Sequence, residues 1–236
     1  MINKQLVKSR FQKNLKTYSE NSIVQEEMAN KLVNLLTHNS YDSVLELGCG
    51  SGILTKKLNN KIKFNNYTAI DIVEDCKEYI DKINQDIKFV QSDIEEMDLN
   101  EKYDLIISNA TFQWVENLEC FIKSLKKQLN PNGILVFSTF GTQNFKEISK
   151  ISNVSLKYLS ISELMDCINP QYLEENKMEV EFDSPIEVLR HLKLTGVNSI
   201  TQQHWTKSDL KNFENKYTEL CSNKIKLTYN PIYIIL

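Results

Sequence analysis

Glu46-Leu47-Gly48-Cys49-Gly50-Ser51-Gly52 gathers half of the chain's 6 glycines into five residues, two positions after a carboxylate. Glycines at alternate positions let a ligand approach backbone amides, because no side chain intervenes and positive φ costs them little. The preceding Val44, Leu45 and Leu47 read as a buried parallel strand, and Ile53, Leu54 and Leu58 then fall at helical spacing. Strand, glycine turn and helix start together hold a nucleotide-like ligand. A dinucleotide fingerprint, G-x-G-x-x-G, would require glycine at position 53, where this chain has Ile53. A second strand pattern, Tyr67-Thr68-Ala69-Ile70-Asp71, ends in a carboxylate suited to a bidentate hydrogen bond with ribose hydroxyls.

A parallel sheet must position these groups. From residue 43 onward, strand-length apolar runs alternate with helical patterns, the signature of a sheet with helices on both faces. The pattern predicts strands at 43–48, 66–71, 87–90, 103–109 and 134–137. Helices are expected at 52–59, through Val73, Cys76 and Ile80, and at 117–129, with a turn at Asn130-Pro131-Asn132-Gly133. Residues 144–175 read as helix and loop without a strand, with a capping-box pattern at 160–163. Residues 178–182 alternate as a sixth strand. Ser184-Pro185-Ile186-Glu187 opens a helix that Gly196 stops, and another helix follows residues 206–209. The last stretch, 225–236, reads as a final strand pair or hairpin, with Pro231 at an edge or bend. Ahead of the sheet, Leu6, Val7, Phe11, Leu15 and Tyr18 share one helix face, and residues 22–25 carry a second capping-box pattern.

Bulk composition narrows the class. The chain has 236 residues, 41% of them hydrophobic and 25% charged, with a formal net charge of -3, which implies no global attraction to nucleic acid. Five cysteines (49, 76, 120, 167 and 221) form no C-x-x-C and read as reduced thiols. His38, His191 and His204 do not cluster, so no catalytic metal is expected, and His191 and His204 read as structural or surface residues. No apolar run approaches the roughly 18 residues of a membrane span, and the N-terminus lacks the apolar segment of a signal peptide. A cytoplasmic protein is expected.

The E-L-G-C-G-S-G spelling resembles motif I of the class I S-adenosylmethionine-dependent methyltransferases. Three further stretches narrow the likeness: Ser108-Asn109-Ala110-Thr111-Phe112-Gln113-Trp114-Val115, Leu192-Lys193-Leu194-Thr195-Gly196-Val197-Asn198 and Leu227-Thr228-Tyr229-Asn230-Pro231-Ile232-Tyr233. With the Phe11…Tyr18…Gln25 spacing, they resemble the malonyl-acyl-carrier-protein O-methyltransferases of biotin synthesis. The likeness runs over essentially the whole chain and is weakest across 141–180. Leu15 departs from it, standing where a small residue is expected.

The resemblance implies a Rossmann-like α/β fold with a seven-stranded, mostly parallel sheet. One methyltransferase domain would comprise a helical cap (1–38), a cofactor-binding core (43–140), a helical insertion with the sixth strand (141–200), and a last helix with the final strand (201–236). It implies S-adenosylmethionine as cofactor, bound by Gly48, Cys49, Gly50, Gly52 and Ile72, with Glu46 near its methionine part and Asp71 at the ribose hydroxyls. Asp93 would meet the adenine amino group, Ile94 would pack on the ring, and Asn109 would serve the cofactor from a strand end.

The implied reaction methylates the free carboxylate of a malonyl thioester on an acyl carrier protein or on coenzyme A. A carboxylate is already an anionic nucleophile, so positioning residues are expected in place of an acid–base pair. Gln113 is expected to orient an oxygen, Trp114 to exclude water, Tyr18 to close over the methionine end, and Lys193 or Arg190 to recognise the malonyl carboxylate. An acidic carrier would dock on Lys4, Lys8, Arg10, Lys13 and Lys16, with Lys123, Lys126 and Lys127 as a second basic group. No nucleic-acid or membrane partner is expected, and the chain is expected to be a monomer. Competing readings are a methyltransferase for a small free carboxylic acid, a non-catalytic S-adenosylmethionine-binding protein and, third, a nicotinamide oxidoreductase.

Overall fold

Val44 and Leu45 are adjacent and fully buried, yet each belongs to a different hydrophobic core, so the strand that carries them is covered on both faces. A computed structural model describes residues 2–97, 100–152, 156–196, 206–221 and 224–236. The strand is β1 (Ser40–Leu47), an interior strand, third across a seven-stranded sheet. The others are β2 (Lys63–Asp71), β3 (Lys88–Gln91), β4 (Tyr103–Ser108), β5 (Leu129–Phe140), β6 (Tyr172–Glu175) and β9 (Pro231–Ile235), in the order β3-β2-β1-β4-β5-β9-β6. β9 alone runs antiparallel to the other six strands. A separate antiparallel pair joins β7 (Met178–Phe182) to β8 (Ile225–Tyr229).

Helices cover the sheet because each has an apolar stripe to bury. In α2 (Ile23–Leu35), Met28, Ala29 and Leu32 are wholly enclosed, against the same core as Val44. In α5 (Leu118–Lys126), Phe121, Ile122 and Leu125 fill the opposite core with Leu45. The chain also forms α3 (Ile53–Lys61), α4 (Lys77–Ile83), α6 (Lys146–Ser152), α7 (Ile161–Ile168), α8 (Pro185–Leu194) and α9 (Lys207–Cys221). The first helix, α1 (Lys4–Asn21), packs against α8.

The fold class agrees with the sequence reading, and the differences have physical causes. Ser160 and Glu163 form the expected capping box, and Ser184 caps α8 ahead of Pro185. At the start of α2, however, the Ser22 hydroxyl donates back to the Tyr18 carbonyl, and no capping box forms with Gln25. A strand, β6, lies inside the 144–175 stretch read as strandless; its ladder partner, β9, is far away in sequence. The final strands are not a hairpin, because β8 pairs with β7 while β9 sits between β5 and β6. Pro231 is the first residue of that interior strand, where a missing N–H is tolerated. Residues 178–182 form a strand outside the main sheet.

Asn130-Pro131-Asn132-Gly133 is not a free turn but the irregular beginning of β5, where the register against β4 shifts. Gly133 permits this close approach. A Cβ there would stand 2.7 Å from the Tyr103 carbonyl oxygen and 3.0 Å from that of Asn130, both backbone atoms that cannot swing aside. Gly133→Ala is therefore expected to cost about 1–3 kcal/mol as overpacking, read as a lower urea midpoint at unchanged m-value.

Candidate active site

The carboxyl ends of β1, β2 and β4 meet beneath α1, and the residues singled out by spacing converge there. The turn after β1 is fixed from β2. The Ile70 carbonyl accepts the Gly48 and Cys49 N–H groups at 2.8 and 3.0 Å. Asp71 accepts the Gly50 N–H at 2.8 Å through one oxygen and the Val73 N–H at 2.9 Å through the other. Burial raises the Asp71 carboxyl above its usual range, and these N–H donors oppose the rise. Gly48, Gly50 and Gly52 all have positive φ, and a Cβ on Gly48 would fall 2.2 Å from the Thr111 hydroxyl oxygen. Thr111 belongs to the loop after β4, so the two loops touch where only glycine fits.

Glu46 lies behind the turn, 1% exposed, accepting the Thr55 hydroxyl at 2.7 Å and the Tyr67 hydroxyl at 2.5 Å. Burial pushes its carboxyl up to about 7, against the pull of those two donors. Asn109 is a tie between elements: its amide donates to the Gln25 carbonyl at 2.9 Å and its oxygen accepts from Ser138 at 2.7 Å. Ala110, next in the chain, is held at φ 50, a strained conformation for a residue with a Cβ.

Three cavities lie in series. The first, about 130 Å³, runs between the glycine turn and α1 and is lined by Gly48, Cys49, Gly50, Asp71, Ile72, Asp93, Ile94 and Asn109. The second is a small space of about 10 Å³, room for about one water. Phe11, Tyr18, Gln25, Ala110 and Trp114 line both. An outer cleft of about 1210 Å³ shares Gln113, Trp114, Phe140, Leu156 and Tyr158 with the small cavity. Trp114 lines all three. It stands edge-on to Phe11, with ring centroids 6.2 Å apart, and Phe11 lies 5.8 Å from the Tyr18 ring.

The polar atoms around the small cavity divide by type. Gln25 Oε1 and Gln113 Oε1 are buried acceptors with no donor. The Gln113 amide is oriented by its donation to the Ala110 carbonyl at 2.6 Å, so the oxygen, not the nitrogen, is left unpaired. The donors are phenols: burial, aided by the Asp71 charge, pushes Tyr18 far above the ordinary tyrosine value, and burial does the same to Tyr158. Among the described residues no charged side chain lines this space.

The cations expected here are elsewhere. Lys193 and Arg190 are exposed on α8 and line none of the three cavities. Lys4 turns inward, pairing with Asp93 at 2.7 Å and Glu95 at 2.6 Å. Burial would lower its ammonium, but hydrogen bonds and charge from both carboxylates leave it raised. Arg10 and Lys8 are half-buried, and at 100° per residue they stand roughly 160° apart around α1. The basic run is therefore no single face; Lys13 and Lys16, roughly 60° apart, are its exposed members. In the second basic group, Lys123 pairs with Glu119 and Lys126 donates to the Ile168 carbonyl. Val197, Asn198 and His204 lie outside the described residues.

Gln25, Asn144 and Tyr158 escaped the sequence reading as site residues. Gln25 carries a signal in its spacing from Phe11 and Tyr18, beside the capping-box pattern that also contains it. His191 is structural: burial lowers it, and its Nε2 lies 2.5 Å from the hydroxyl of the enclosed Tyr229.

Comparison with known proteins adds independent support. The methyltransferase-domain family profile matches residues 21–202. The chain is 39% identical to a malonyl-acyl-carrier-protein O-methyltransferase of Calditerrivibrio nitroreducens, over 97% of this chain and 95% of that protein. It is 33% identical to the protein of the same name from Haemophilus influenzae, over 99% of this chain and 94% of that one. Among solved structures, coclaurine N-methyltransferase bound to N-methylheliamine and S-adenosylhomocysteine shares the fold. Its TM-score is 0.53 at 17% identity, covering 91% of this chain and 71% of that one.

Glu46 yields a pH test. The unfolded carboxyl ionises near 4.5, whereas the folded one stays protonated to about 7, so stability is lost as pH rises between these values. Glu46→Gln keeps an acceptor for Tyr67 and Thr55 without the charge. It is expected to match the wild type near pH 4.5 and exceed it by up to about 3 kcal/mol above pH 7, measured by urea denaturation at each pH.

Proposed function

The chain belongs to the malonyl-acyl-carrier-protein O-methyltransferase family, and from that premise we propose which of its residues carry the reaction and where its carrier docks. It is an S-adenosylmethionine-dependent carboxyl O-methyltransferase that converts malonyl-acyl carrier protein into the malonyl methyl ester, an early step of biotin synthesis. The observation that carries this assignment is the series of cavities joined at Trp114, leading from an open cleft through a neutral space to the glycine turn.

The first cavity fits the cofactor. Asp71 faces it beside the glycine turn, Ile72 and Ile94 supply apolar walls, and Gln25 Oε1 is a buried acceptor without a donor at the end nearest the small cavity. Such an acceptor suits a cationic ligand group. S-adenosylmethionine supplies a methyl carbon activated by its sulfonium; transfer to a carboxylate oxygen breaks the carbon–sulfur bond, leaves a neutral thioether and moves no proton. The protein's work is therefore alignment and dryness. Tyr18 and Gln25 close the boundary between cofactor and acceptor, Trp114 and Phe11 exclude water, and Gln113, held by Ala110, forms the wall toward the cleft. Asp93 and Glu95 hold Lys4 so that α1 covers the pocket.

An acidic carrier protein is the partner, and Lys13 and Lys16, exposed on the outer side of α1, are its docking cations. The enzyme acts as a monomer. In support, the exposed large apolar side chains among the described residues are Ile23, Met165 and Leu220, on three separate helices.

Labelled methyl transfer to malonyl-acyl carrier protein tests the assignment. The expected product gains one methyl group that an esterase removes; transfer to a small dicarboxylic acid alone would overturn the carrier substrate. Reversing both charges, Lys13→Glu with Lys16→Glu, is expected to raise the carrier KM about tenfold at low salt and to flatten its salt dependence. The KM for malonyl-pantetheine, which has no carrier to dock, should stay put.

A further inference from the structure

The geometry points to Tyr158 as the hydrogen-bond donor that holds the substrate's free carboxylate in the small cavity, aligned through Asn144. The inference rests on the carboxyl-methylation reading and names the group that recognises the charged end of the acceptor.

Tyr158 lines both the small cavity and the outer cleft, at the junction a thioester must pass to reach the methyl donor. Its hydroxyl accepts the Asn144 amide at 2.9 Å, which directs its own proton away from that residue. That proton has no protein acceptor among the described residues. The amide cannot turn over, because Asn144 Oδ1 accepts the Asn230 N–H at 3.2 Å. Asn230 is fixed in turn: its oxygen accepts the Gln143 N–H at 3.0 Å, and its nitrogen donates to Glu175 at 3.1 Å and to the Asn176 carbonyl at 2.9 Å. A chain of amides anchored on β6 and β9 therefore sets the direction of one phenolic O–H. Burial keeps that phenol protonated, hence a donor.

Chemistry favours such a donor over a cation. A bidentate guanidinium or a lysine would hold the carboxylate tightly and lower its nucleophilicity. One neutral O–H binds one oxygen and leaves the other free to attack. Gln25 Oε1 and Gln113 Oε1, the cavity's fully buried unpaired polar atoms, are acceptors and cannot hold an anion. Of its two phenols, Tyr18 also lines the cofactor cavity, and Tyr158 is the one that faces the outer cleft from which the acceptor comes. Lys193 and Arg190, the cations the sequence suggested, are exposed on α8.

The test compares malonyl- and acetyl-acyl carrier protein, which differ by the carboxylate, as ligands of the wild type and of Tyr158→Phe, with S-adenosylhomocysteine bound. A hydrogen bond to a charged group predicts a ten- to hundredfold loss of malonyl-carrier affinity and of kcat/KM. Acetyl-carrier and S-adenosylhomocysteine affinities should stay within twofold, the latter reporting an intact fold. Asn144→Leu, which removes the alignment and leaves the phenol, is expected to give a smaller loss with the same selectivity for malonyl. Equal losses for malonyl and acetyl carriers, or wild-type kcat/KM in Tyr158→Phe, would overturn the proposal while the methylation reading stands. A wild-type enzyme that methylates no malonyl thioester would overturn both.

Discussion

The Ile70 carbonyl and the Asp71 carboxylate together hold three successive N–H groups, those of Gly48, Cys49 and Gly50, and much of the site hangs on that attachment. It joins the loop after β1 to the end of β2 at the parallel register that seats Leu47 beside Ile70. Were the turn to shift, Gly48 would lose its close fit against Thr111, and the loop after β4 would lose its seat. That loop carries Ala110, Gln113 and Trp114. The conformation of Ala110 is itself strained, and it persists because Ser138 holds its N–H at 2.9 Å while its carbonyl takes the Gln113 amide. Cofactor side and acceptor side are thus one mechanical unit built on two hydrogen-bond acceptors of β2.

The reaction brings a cationic donor to an anionic acceptor, and each needs a different lining. Unpaired amide oxygens on Gln25 and Gln113 favour positive charge; phenolic donors on Tyr18 and Tyr158 favour negative charge. A full charge from the protein would be worse for either task. A carboxylate lining the acceptor space would repel the substrate, and an ammonium there would hold it in an unreactive pair. The carboxylates near the site are accordingly engaged: Glu46 by Tyr67 and Thr55, Asp71 by backbone amides, Asp93 by Lys4.

What the sequence showed and what it hid follow from how far apart the interacting residues lie. The turn from Glu46 to Gly52 and the carboxylate of Asp71 are local patterns, and each stands where its spacing placed it. The alternation that predicts a parallel sheet is local too. By contrast, β6 has only four residues and finds its partner about sixty positions later, so no periodicity announces it. Asn144 meets Asn230 across 86 positions, and nothing near Tyr158 marks its hydroxyl as aimed. The basic run of α1 misled for a different reason. Five cations close in sequence are spread around a helix by its 3.6-residue turn, and the first of them, Lys4, is drawn inward by two carboxylates.

That inward lysine bears on how the site opens. With α1 in place, the acceptor space has room for about one water, far too little for a malonyl group. Its walls are Phe11 and Tyr18 from α1, Trp114 from the loop after β4, and Tyr158 and Leu156 ahead of α7. Beyond apolar packing, the described ties of α1 to the cofactor side are polar: Lys4 to Asp93 and Glu95, and Gln12 to Asp75 at 3.2 Å. Polar ties at a partly exposed edge are weak and exchange readily with water, whereas the apolar contacts of Val7 and Leu15 are buried. The cover of the site is thus anchored by buried apolar side chains along its length and by exchangeable polar ties at its start. Phe11, between Val7 and Leu15 on that helix, stands against both Trp114 and Tyr18, so the cofactor side and the acceptor side share one cover.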